Sequence, residues 1–537
     1  MSDSRPNILW ISLEDTTPRF GCYGDPLART PNLDRLASQG VRFPNAFSTA
    51  GVCAPSRCAV ITGMYAPSIG GHHMRTGHTN RATPEMPTPY EAVPPPYVKC
   101  FTEYLRAAGY YCTNNQKTDY QFKPPLTAWD ECGGNGHWRN RPDGAPFFAV
   151  FNPTGTHESG MWDRSKGSDG PPPTETDPDA VTMPPYLPDT LKARQALARQ
   201  YDNIAASDRI VGRILGELEE DGLAENTAVF IWSDHGEGLP RGKRWPYDAG
   251  IRIPCIVRWP GRLEAGGVSQ RLVSMIDLGP TVLSMAGVSI PRHMQGQPFL
   301  EGEERAYIYA ARDRHDESYD MVRAVRDRRF KYLRNFYPDL PYLMWIPYRN
   351  RHPVMQEMWR LHAENALEGD QRLMFERRTP EELYDTESDR YETRNLAGDP
   401  AHAETLGRFR AELERWQREI GDLGHVPEDQ MAARFRPGGM QRQAAAPVFA
   451  PIAPIAPGAP GRETSEGGSY SAPCLIQLHC ATQGASIAYT TEEGGDARWR
   501  LYTEPIRLTK GDTIVRAKAC RIGYRESAES RAEFLVE

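Results

Sequence analysis

Long apolar runs are missing from this sequence. None of its 537 residues belongs to a stretch approaching 18 consecutive apolar residues, and the mean hydropathy is −0.61. We therefore expect no membrane-spanning helix. The first six residues, 1–6, also lack the apolar centre of a secretory signal. We expect a cytoplasmic protein as the chain is written, or a periplasmic or secreted one if a leader has been removed.

An excess of basic residues is also lacking. The 63 Lys and Arg residues are outnumbered by 70 Asp and Glu residues, so the formal charge is −7. This balance argues against a nucleic-acid partner, which needs a basic face. Hydrophobic residues make up 39% and charged residues 25% of the chain, which excludes wholesale disorder. The length predicts several domains, and the composition leaves the oligomeric state open.

No C-x-x-C pair occurs among the ten cysteines, so zinc-ribbon and thioredoxin-like sites are weak interpretations. Ten cysteines in a chain of this length do not make a disulfide scaffold either. We expect most of them to be small buried apolar residues. Cys53 is the exception, for reasons given below.

Four regions follow from the pattern of the remaining residues. Strand and helix patterns alternate in residues 1–305, which predicts an α/β domain with a mainly parallel sheet. The apolar runs 7–13 and 147–151 predict two of its strands, and apolar residues recurring every three and four positions predict a helix over 191–220. Residues 306–436 suggest a smaller α+β subdomain. Residues 437–470 are rich in Pro, Ala and Gly and predict an extended linker. Short strands with turn signals in residues 471–537 predict a β-sandwich.

Polar side chains follow four predicted strands of the first region. Ligands of open α/β sheets bind beyond the carboxyl ends of the strands, so these side chains are expected to share one rim. Taken singly, each also has a structural explanation as a turn, helix cap or loop residue. Carboxylates at two strand ends suit a hard divalent cation, whereas imidazole suits softer metals. The residues are Glu14, Asp15, Lys117, His157, Asp234 and His235.

The segment 52–63 carries the most specific signal. Pro55 suits the first turn of a helix, and Gly63 suits its end. Cys53 would then lie at a helix N-terminus, where unpaired amides favour an anion such as a thiolate. Arg57 lies about one turn further on and can point towards the same end. The alternative is a buried cysteine at the start of a core helix.

The string C-x-P-S-R-x-x-x-x-T-G of residues 53–63 resembles the formylglycine-dependent sulfatases of the alkaline-phosphatase-like superfamily. The resemblance spans residues 5–430 and includes Ser233-Asp234-His235-Gly236 and Gly242-Lys243. It implies a mixed, mainly parallel sheet flanked by helices, and a maturation enzyme that oxidises Cys53 to formylglycine. It implies Ca²⁺, with Mg²⁺ or Mn²⁺ as alternatives, on Glu14, Asp15, Asp234 and His235. It also places Lys117, His157 and Lys243 at the sulfate; the chain has only nine lysines.

The chain departs from the family pattern at several positions. Glu14 replaces an aspartate, His235 stands where asparagine is common, and Asp119 stands where a histidine is frequent. The residue that collapses the covalent intermediate is therefore open. His72 or His73 could take that role, contact the substrate, or simply line a loop. Asp119 is a further candidate for substrate contact.

The resemblance implies nucleophilic catalysis by hydrated formylglycine at position 53. Lys117 and Lys243 would stabilise charge on the sulfuryl oxygens, and His157 would protonate the leaving group. Residues 331–378 look like the C-terminal part of heparan N-sulfatases, and residues 471–537 resemble the C-terminal β-sandwich of chitobiase-like glycosidases. Both likenesses favour a sulfated saccharide as substrate.

Two other functions fit the same residues. A phosphonate or phosphodiester hydrolase of the superfamily would share the cation and the nucleophile. A carbohydrate-binding protein with a catalytic domain that is never matured would share the sequence motifs without the activity.

Overall fold

The computed structural model describes residues 5–76, 89–162, 174–452, 466–470 and 474–537. Within these ranges no helix is long and apolar enough to cross a membrane. The ten cysteines are free thiols and most of them are buried, as the sequence predicts.

The described residues up to 305 contain ten strands, and eight of them form one sheet. The strands are β1 Asn7–Leu13, β2 Val41–Arg42, β3 Ala46–Phe47, β4 Tyr111–Asn115, β5 Glu131–Cys132, β6 Phe147–Phe151, β7 Thr227–Ser233, β8 Cys255–Arg258, β9 Gly267–Val268 and β10 Val273–Ser274. Their order in the sheet is β5-β4-β6-β1-β7-β8-β2-β9. The five strands from β5 to β7 run parallel, and β8 is antiparallel to β7. The carboxyl ends of β4, β6, β1 and β7 therefore meet at one edge.

Helices cover both faces of this sheet, because the side chains of β1 alternate between two apolar cores. Ile8 and Trp10 pack into one core with residues of α2, α4 and α7, whereas Leu9 and Ile11 pack into another with residues of α1 and α5. The mixed, mainly parallel sheet flanked by helices is thus confirmed. The helices are α1 Pro31–Ser38, α2 Cys53–Thr62, α3 Ala66–Ile69, α4 Phe101–Ala107, α5 Leu191–Glu220, α6 Asp248–Ile251 and α7 Leu278–Met285.

The next part of the chain forms a four-stranded antiparallel sheet in the order β11-β12-β13-β14. One apolar stripe of α9, with Phe409 and Trp416, packs against this sheet at Val325 and Leu383. The smaller α+β unit is therefore present. Its elements are β11 Ile308–Arg312, β12 Val322–Arg326, β13 Phe330–Asn335, α8 Pro353–Ala363, β14 Glu381–Asp385, α9 Ala403–Ile420 and α10 Glu428–Phe435.

The C-terminal part is a β-sandwich, as expected. A sheet β15-β17-β20 faces a sheet β16-β22-β21-β18-β19, and Phe449, Ile476, Val515 and Phe534 pack between them. The strands are β15 Val448–Ile452, β16 Gly467–Tyr470, β17 Cys474–His479, β18 Ser486–Thr490, β19 Arg500–Leu501, β20 Ile506–Leu508, β21 Gly511–Cys520 and β22 Ser530–Val536.

The linker predicted for residues 437–470 needs correction. Its residues 448–452 are β15, which pairs with β17, and its residues 467–470 are β16, which pairs with β22. The segment has the composition of a linker. It nevertheless forms a strand, because Phe449 and Pro451 face the sandwich core and alternate with more exposed residues. Pro451 is tolerated because β15 is an edge strand. Residues 453–465 lie outside the described residues.

The sandwich packs directly against the first region of the chain. Lys99 Nζ lies 2.6 Å from Ser486 Oγ, and Arg106 Nη2 lies 2.8 Å from the carbonyl oxygen of Trp499. Ile522 belongs to the same apolar core as Ile8. Both polar and apolar contacts therefore join the two parts.

Candidate active site

Cys53 is the first residue of α2, directly after the extended residue Val52. Every residue of this helix is buried, and Gly63 ends it with a left-handed φ of 66°. Pro55 lies in the first turn, where no backbone N–H is needed. The predicted placement of the thiol at a helix N-terminus is thus observed.

Three further residues bring potential metal ligands to Cys53. One ligand atom each from Asp15, Cys53, Asp234 and His235 lies within 4.8 Å of the others, and all four residues are buried. The proximity follows from strand register, since β1 pairs with β7 up to Leu13 and Ser233. The chain turns sharply after β1, where Asp15 adopts a φ of 46° and its N–H donates to Asp234 Oδ1 at 3.2 Å.

The contacts of His235 suit a metal ligand. Its Nδ1 lies 3.0 Å from the carbonyl oxygen of Gly236, which places a hydrogen on Nδ1. Its Nε2 then faces Asp15 Oδ1 at 3.0 Å and Asp234 Oδ1 at 3.8 Å. The nearby carboxylates raise the pKa of His235 to about 10 against the opposing effect of its burial. A cation between these acceptors would satisfy all of them, and a backbone carbonyl behind the imidazole is typical of metal-bound histidine. The group can therefore hold a metal ion.

Glu14 faces cationic side chains instead. Its Oε1 contacts Lys117 Nζ and lies 3.7 Å from Arg57 Nη2. Burial and the carboxylate of Asp234 raise the pKa of Glu14. Among the described residues, the group of mutually close ligand atoms does not include Glu14. Its predicted role as a metal ligand stays a prediction.

Arg57 points back to the helix N-terminus, as its spacing from Cys53 predicts. Its Nε donates to Asp234 Oδ2 at 3.1 Å, and its Nη1 donates to Asn152 Oδ1 at 2.9 Å. Asn152 in turn donates to Asn114 Oδ1 at 3.1 Å. The sequence analysis missed Asn152, although it follows β6 as Glu14 follows β1.

Lys243 joins the metal-binding group to His157. Its Nζ lies 2.7 Å from Asp15 Oδ2, and 3.3 Å from both His157 Nε2 and Glu158 Oε1. Burial and the charge of Lys243 lower the pKa of His157 to about 4, so the imidazole is neutral near pH 7. Its Nδ1 accepts the backbone N–H of Ser159 at 3.3 Å and lies 2.8 Å from Ser159 Oγ, while its Nε2 faces the lysine.

Glu158 was also missed, although it adjoins His157. Its carboxylate binds Arg244 through two contacts of 3.0 and 2.7 Å, and its backbone N–H donates to Asp15 Oδ2 at 2.7 Å. Arg244 and Lys243 hold the pKa of Glu158 well below its usual range despite complete burial. Glu158 therefore fixes the side of the site that carries Lys243.

The three residues predicted to contact substrate lie in two places. Asp119 Oδ2 is 3.8 Å from Lys117 Nζ, so Asp119 adjoins the site. His72 and His73 are buried with their rings 4.3 Å apart, and burial lowers the pKa of both. His73 Nδ1 accepts the backbone N–H of Arg314. Among the described residues, no hydrogen bond or ion pair joins either histidine to Cys53, and their role stays a prediction.

Together, the fold and the site place a buried cysteine at a helix N-terminus beside a group that can hold a metal ion. The family model "Sulfatase" matches residues 6–130 and 137–288, and the model "N-sulphoglucosamine sulphohydrolase, C-terminal" matches residues 236–345. The chain belongs to the sulfatase family and is a sulfuric ester hydrolase.

Two curated relatives cover most of the chain. An ulvan-active sulfatase of Formosa agariphila is 42% identical over 97% of this chain and 90% of its own length. The human N-sulphoglucosamine sulphohydrolase is 28% identical over 78% of this chain and 91% of its own length. The predicted likeness to the sulfamidases is thereby confirmed.

Solved structures share the fold at low sequence identity. One, determined in complex with its substrate D-glucosamine-2-N,6-O-disulfate, has a TM-score of 0.54 and 19% identity over 80% of this chain and 100% of its own. A phosphonate monoester hydrolase of Silicibacter pomeroyi has a TM-score of 0.56 and 20% identity over 78% of this chain and 97% of its own. The fold alone is therefore common to two kinds of hydrolase.

Proposed function

We propose that this sulfatase removes a sulfate ester or an N-sulfate from a saccharide, with Cys53 oxidised to formylglycine and a divalent cation, preferably Ca²⁺, beside it. One observation carries the proposal: Cys53 shares a cluster within 4.8 Å with Asp15, Asp234 and His235. An inert buried cysteine needs no such neighbours. The names of the relatives, which refer to ulvan and to N-sulphoglucosamine, support a sulfated saccharide.

Asp15, Asp234 and His235 would hold the cation, with Glu14 next to them. When bound, it would supply positive charge that favours an ionised hydroxyl and stabilises sulfate oxygens. Hydrated formylglycine would supply a hydroxyl nucleophile and a second hydroxyl whose deprotonation later releases sulfate.

The side chains around this group bind and orient the sulfate. Arg57 is held by Asp234 and Asn152, so its charge stays close to position 53. Lys117 contacts Glu14 and Lys243 contacts Asp15, so both lysines would be close enough to contact the sulfuryl oxygens.

His157 and Lys243 would control the protonation of the leaving group. In the structure His157 is neutral near pH 7, because burial and the charge of Lys243, 3.3 Å from its Nε2, lower its pKa. A bound sulfate offsets the charge of Lys243, which favours protonation of His157 and its action as general acid.

The first experiment is sulfate release from a panel of O- and N-sulfated saccharides after co-expression with a formylglycine-generating enzyme. Intact mass reports maturation, because conversion of the thiol to the aldehyde removes about 18 mass units. Cys53→Ala is expected to abolish sulfate release. Cys58→Ala, in the same helix, should retain sulfate release because it leaves position 53 unchanged. Wild-type rates in Cys53→Ala, or no sulfate release by the aldehyde form from any saccharide, would refute the proposal.

The shared fold makes a phosphonate or phosphodiester hydrolase the second candidate. Rates on p-nitrophenyl sulfate, p-nitrophenyl phenylphosphonate and bis-p-nitrophenyl phosphate separate the two functions. We expect the sulfate to be preferred, since the chain has the Pro-Ser-Arg segment at residues 55–57. Saccharide binding without any turnover or aldehyde would instead indicate an unmatured binding protein.

A further inference from the structure

Arg75 has no role in the site described so far, yet its side chain is 46% exposed beside it. Its Nη1 lies 3.7 Å from Asp119 Oδ1, and its Nε lies 3.9 Å from Asp316 Oδ1. Both distances exceed a hydrogen bond. Among the described residues, no hydrogen bond of this guanidinium is found. Arg75 is therefore held in place by charge while its N–H donors remain available.

Arg75 lies next to the proposed sulfate-binding residues. Asp119 stands between Arg75 and Lys117, at 3.8 Å from Lys117 Nζ, and Lys117 contacts Glu14. Arg75, Lys117 and Asp119 line one open groove of about 690 Å³. That volume suits a sugar or a disaccharide. A saccharide whose sulfate reaches Lys117 would thus pass beside Arg75.

The backbone around Arg75 indicates a rigid arrangement. Arg75, Asp119 and Asp316 all adopt left-handed conformations, with φ of 63°, 53° and 46°. Non-glycine residues in this region are strained, and such residues are frequent where side chains clamp a ligand. The three charged groups come from separate segments, and Asp316 belongs to the smaller α+β unit.

We propose that Arg75 binds a second oxyanion of the saccharide, either a carboxylate or another sulfate, and so selects substrates with two anionic groups. The guanidinium fork matches both anions in a bidentate arrangement. Asp119 and Asp316 make the selection strict, because an anion in this place is repelled unless it is paired with Arg75. The inference rests on the proposed function of the site.

The test compares Arg75→Gln, Arg75→Lys and Asp316→Asn with the wild type and with Arg328→Ala, which changes a half-exposed arginine elsewhere. The substrates are p-nitrophenyl sulfate, a sulfated disaccharide that contains a uronic acid, its carboxyl-reduced form, and a neutral disaccharide with two sulfates. Binding of the disaccharides to the catalytically inactive Cys53→Ser variant is measured in parallel by calorimetry.

Arg75→Gln should raise KM and Kd about 10–100-fold for the substrates with two anions, as expected from losing a charge-assisted pair. Values for p-nitrophenyl sulfate and the carboxyl-reduced disaccharide should stay within about twofold. Arg75→Lys should recover part of the loss, and Asp316→Asn should tighten binding of the second anion. Comparison of the uronic acid disaccharide with the neutral disaccharide that has two sulfates shows whether Arg75 binds a carboxylate or a second sulfate.

Equal losses of activity on all substrates in Arg75→Gln would show a structural role and overturn the inference. The inference is also overturned if the wild type binds the native and carboxyl-reduced disaccharides with equal Kd and shows no preference for the disulfate. These outcomes differ from failure of the proposed function, in which the wild type releases no sulfate from any substrate. Arg328→Ala should leave every value unchanged.

Discussion

The Sγ atom of Cys53 lies 3.4 Å from Nε2 of His235, although 182 positions separate the two residues in the chain. The contact exists because α2 begins where β7 ends, at the edge of the central sheet. The same imidazole nitrogen faces Asp15 and Asp234. Cys53 and the metal-binding group therefore form one unit, and a change in either should affect the other.

Removal of divalent cations should lower both activity and thermal stability. Without a cation, Asp15 and Asp234 are neutralised only by Lys243, Arg57 and a protonated His235, and a bound cation would add its own binding free energy to the folded state. A cation present at a hundredfold excess over its Kd stabilises the folded state by about 2.7 kcal/mol. Thermal melts during titration with Ca²⁺, Mg²⁺ and Mn²⁺ after chelation measure this gain.

The gain should vanish in Asp234→Asn and persist in Asp385→Asn, which alters a carboxylate paired with Arg329 far from the cluster. If none of the cations changes the melting temperature of the wild type, a metal site here is contradicted.

Asn152→Ala should lower kcat by about 10–100-fold with little change in KM. The variant removes an acceptor of Arg57 at 2.9 Å, and a hydrogen bond to a charged group contributes about 1.5–3 kcal/mol. Steady-state kinetics on p-nitrophenyl sulfate check this, with Asn45→Ala as control, a variant that removes a partly buried amide bonded to Gln270. A rise in KM alone would show that Asn152 binds substrate instead of positioning Arg57.

Asp320→Asn should reduce the free energy of unfolding by about 3–5 kcal/mol, because it leaves two buried guanidinium groups without their carboxylate. Asp320 contacts Arg312 at 2.5 Å and Arg378 at 2.7 Å. Urea unfolding near pH 6 measures the loss. The exposed pair of Asp339 and Arg377 offers a control, since Asp339→Asn should change stability by less than about 1 kcal/mol.

The same carboxylate predicts a dependence on pH. Burial raises the pKa of Asp320, but Arg312 and Arg378 outweigh it and hold the pKa below its usual value. Its contribution is complete above the unfolded pKa of about 4 and is lost as pH falls through the lower folded value. The difference between wild type and Asp320→Asn should therefore shrink in acid. A constant difference down to pH 2 would oppose this account.

Ile522→Ala in the sandwich should destabilise the α/β region as well. Ile522 is 3% exposed and packs into the core that contains Ile8, so its truncation should cost about 2–5 kcal/mol. The temperatures at which sulfatase activity and native tryptophan fluorescence are lost should fall together. Leu535→Ala, at a residue that is 39% exposed, should have little effect. Independent unfolding of the sandwich with unchanged activity would indicate separate domains.

Local patterns predicted several elements to the residue. The strand Asn7–Leu13, the strand Phe147–Phe151 and the helix Leu191–Glu220 have the bounds that apolar runs and helical periodicity indicate. The start of α2 at Cys53 followed from its proline and from its terminal glycine. These features depend on neighbours in sequence, so the sequence contains them in full.

The candidate site was predictable only in part. Residues at strand ends could be assigned to one rim because parallel strands place their carboxyl ends together. Asn152 and Glu158 were missed, since one acts through Arg57 and the other through Lys243 and Arg244. Neither has a motif of its own, and their roles appear only from contacts across 85 or more positions.

By itself, the amino-acid sequence determined the α/β architecture, the sulfatase motif and the residues at the strand ends, because these depend on periodicity and short spacings. Only the tertiary structure decided which charges meet: Lys243 with Asp15, Glu14 with Lys117, and Arg75 between two carboxylates. It also turned part of a proline-rich segment into a strand of the sandwich. The physical reason is that such contacts depend on strand register and on the packing of distant segments, which no local pattern encodes.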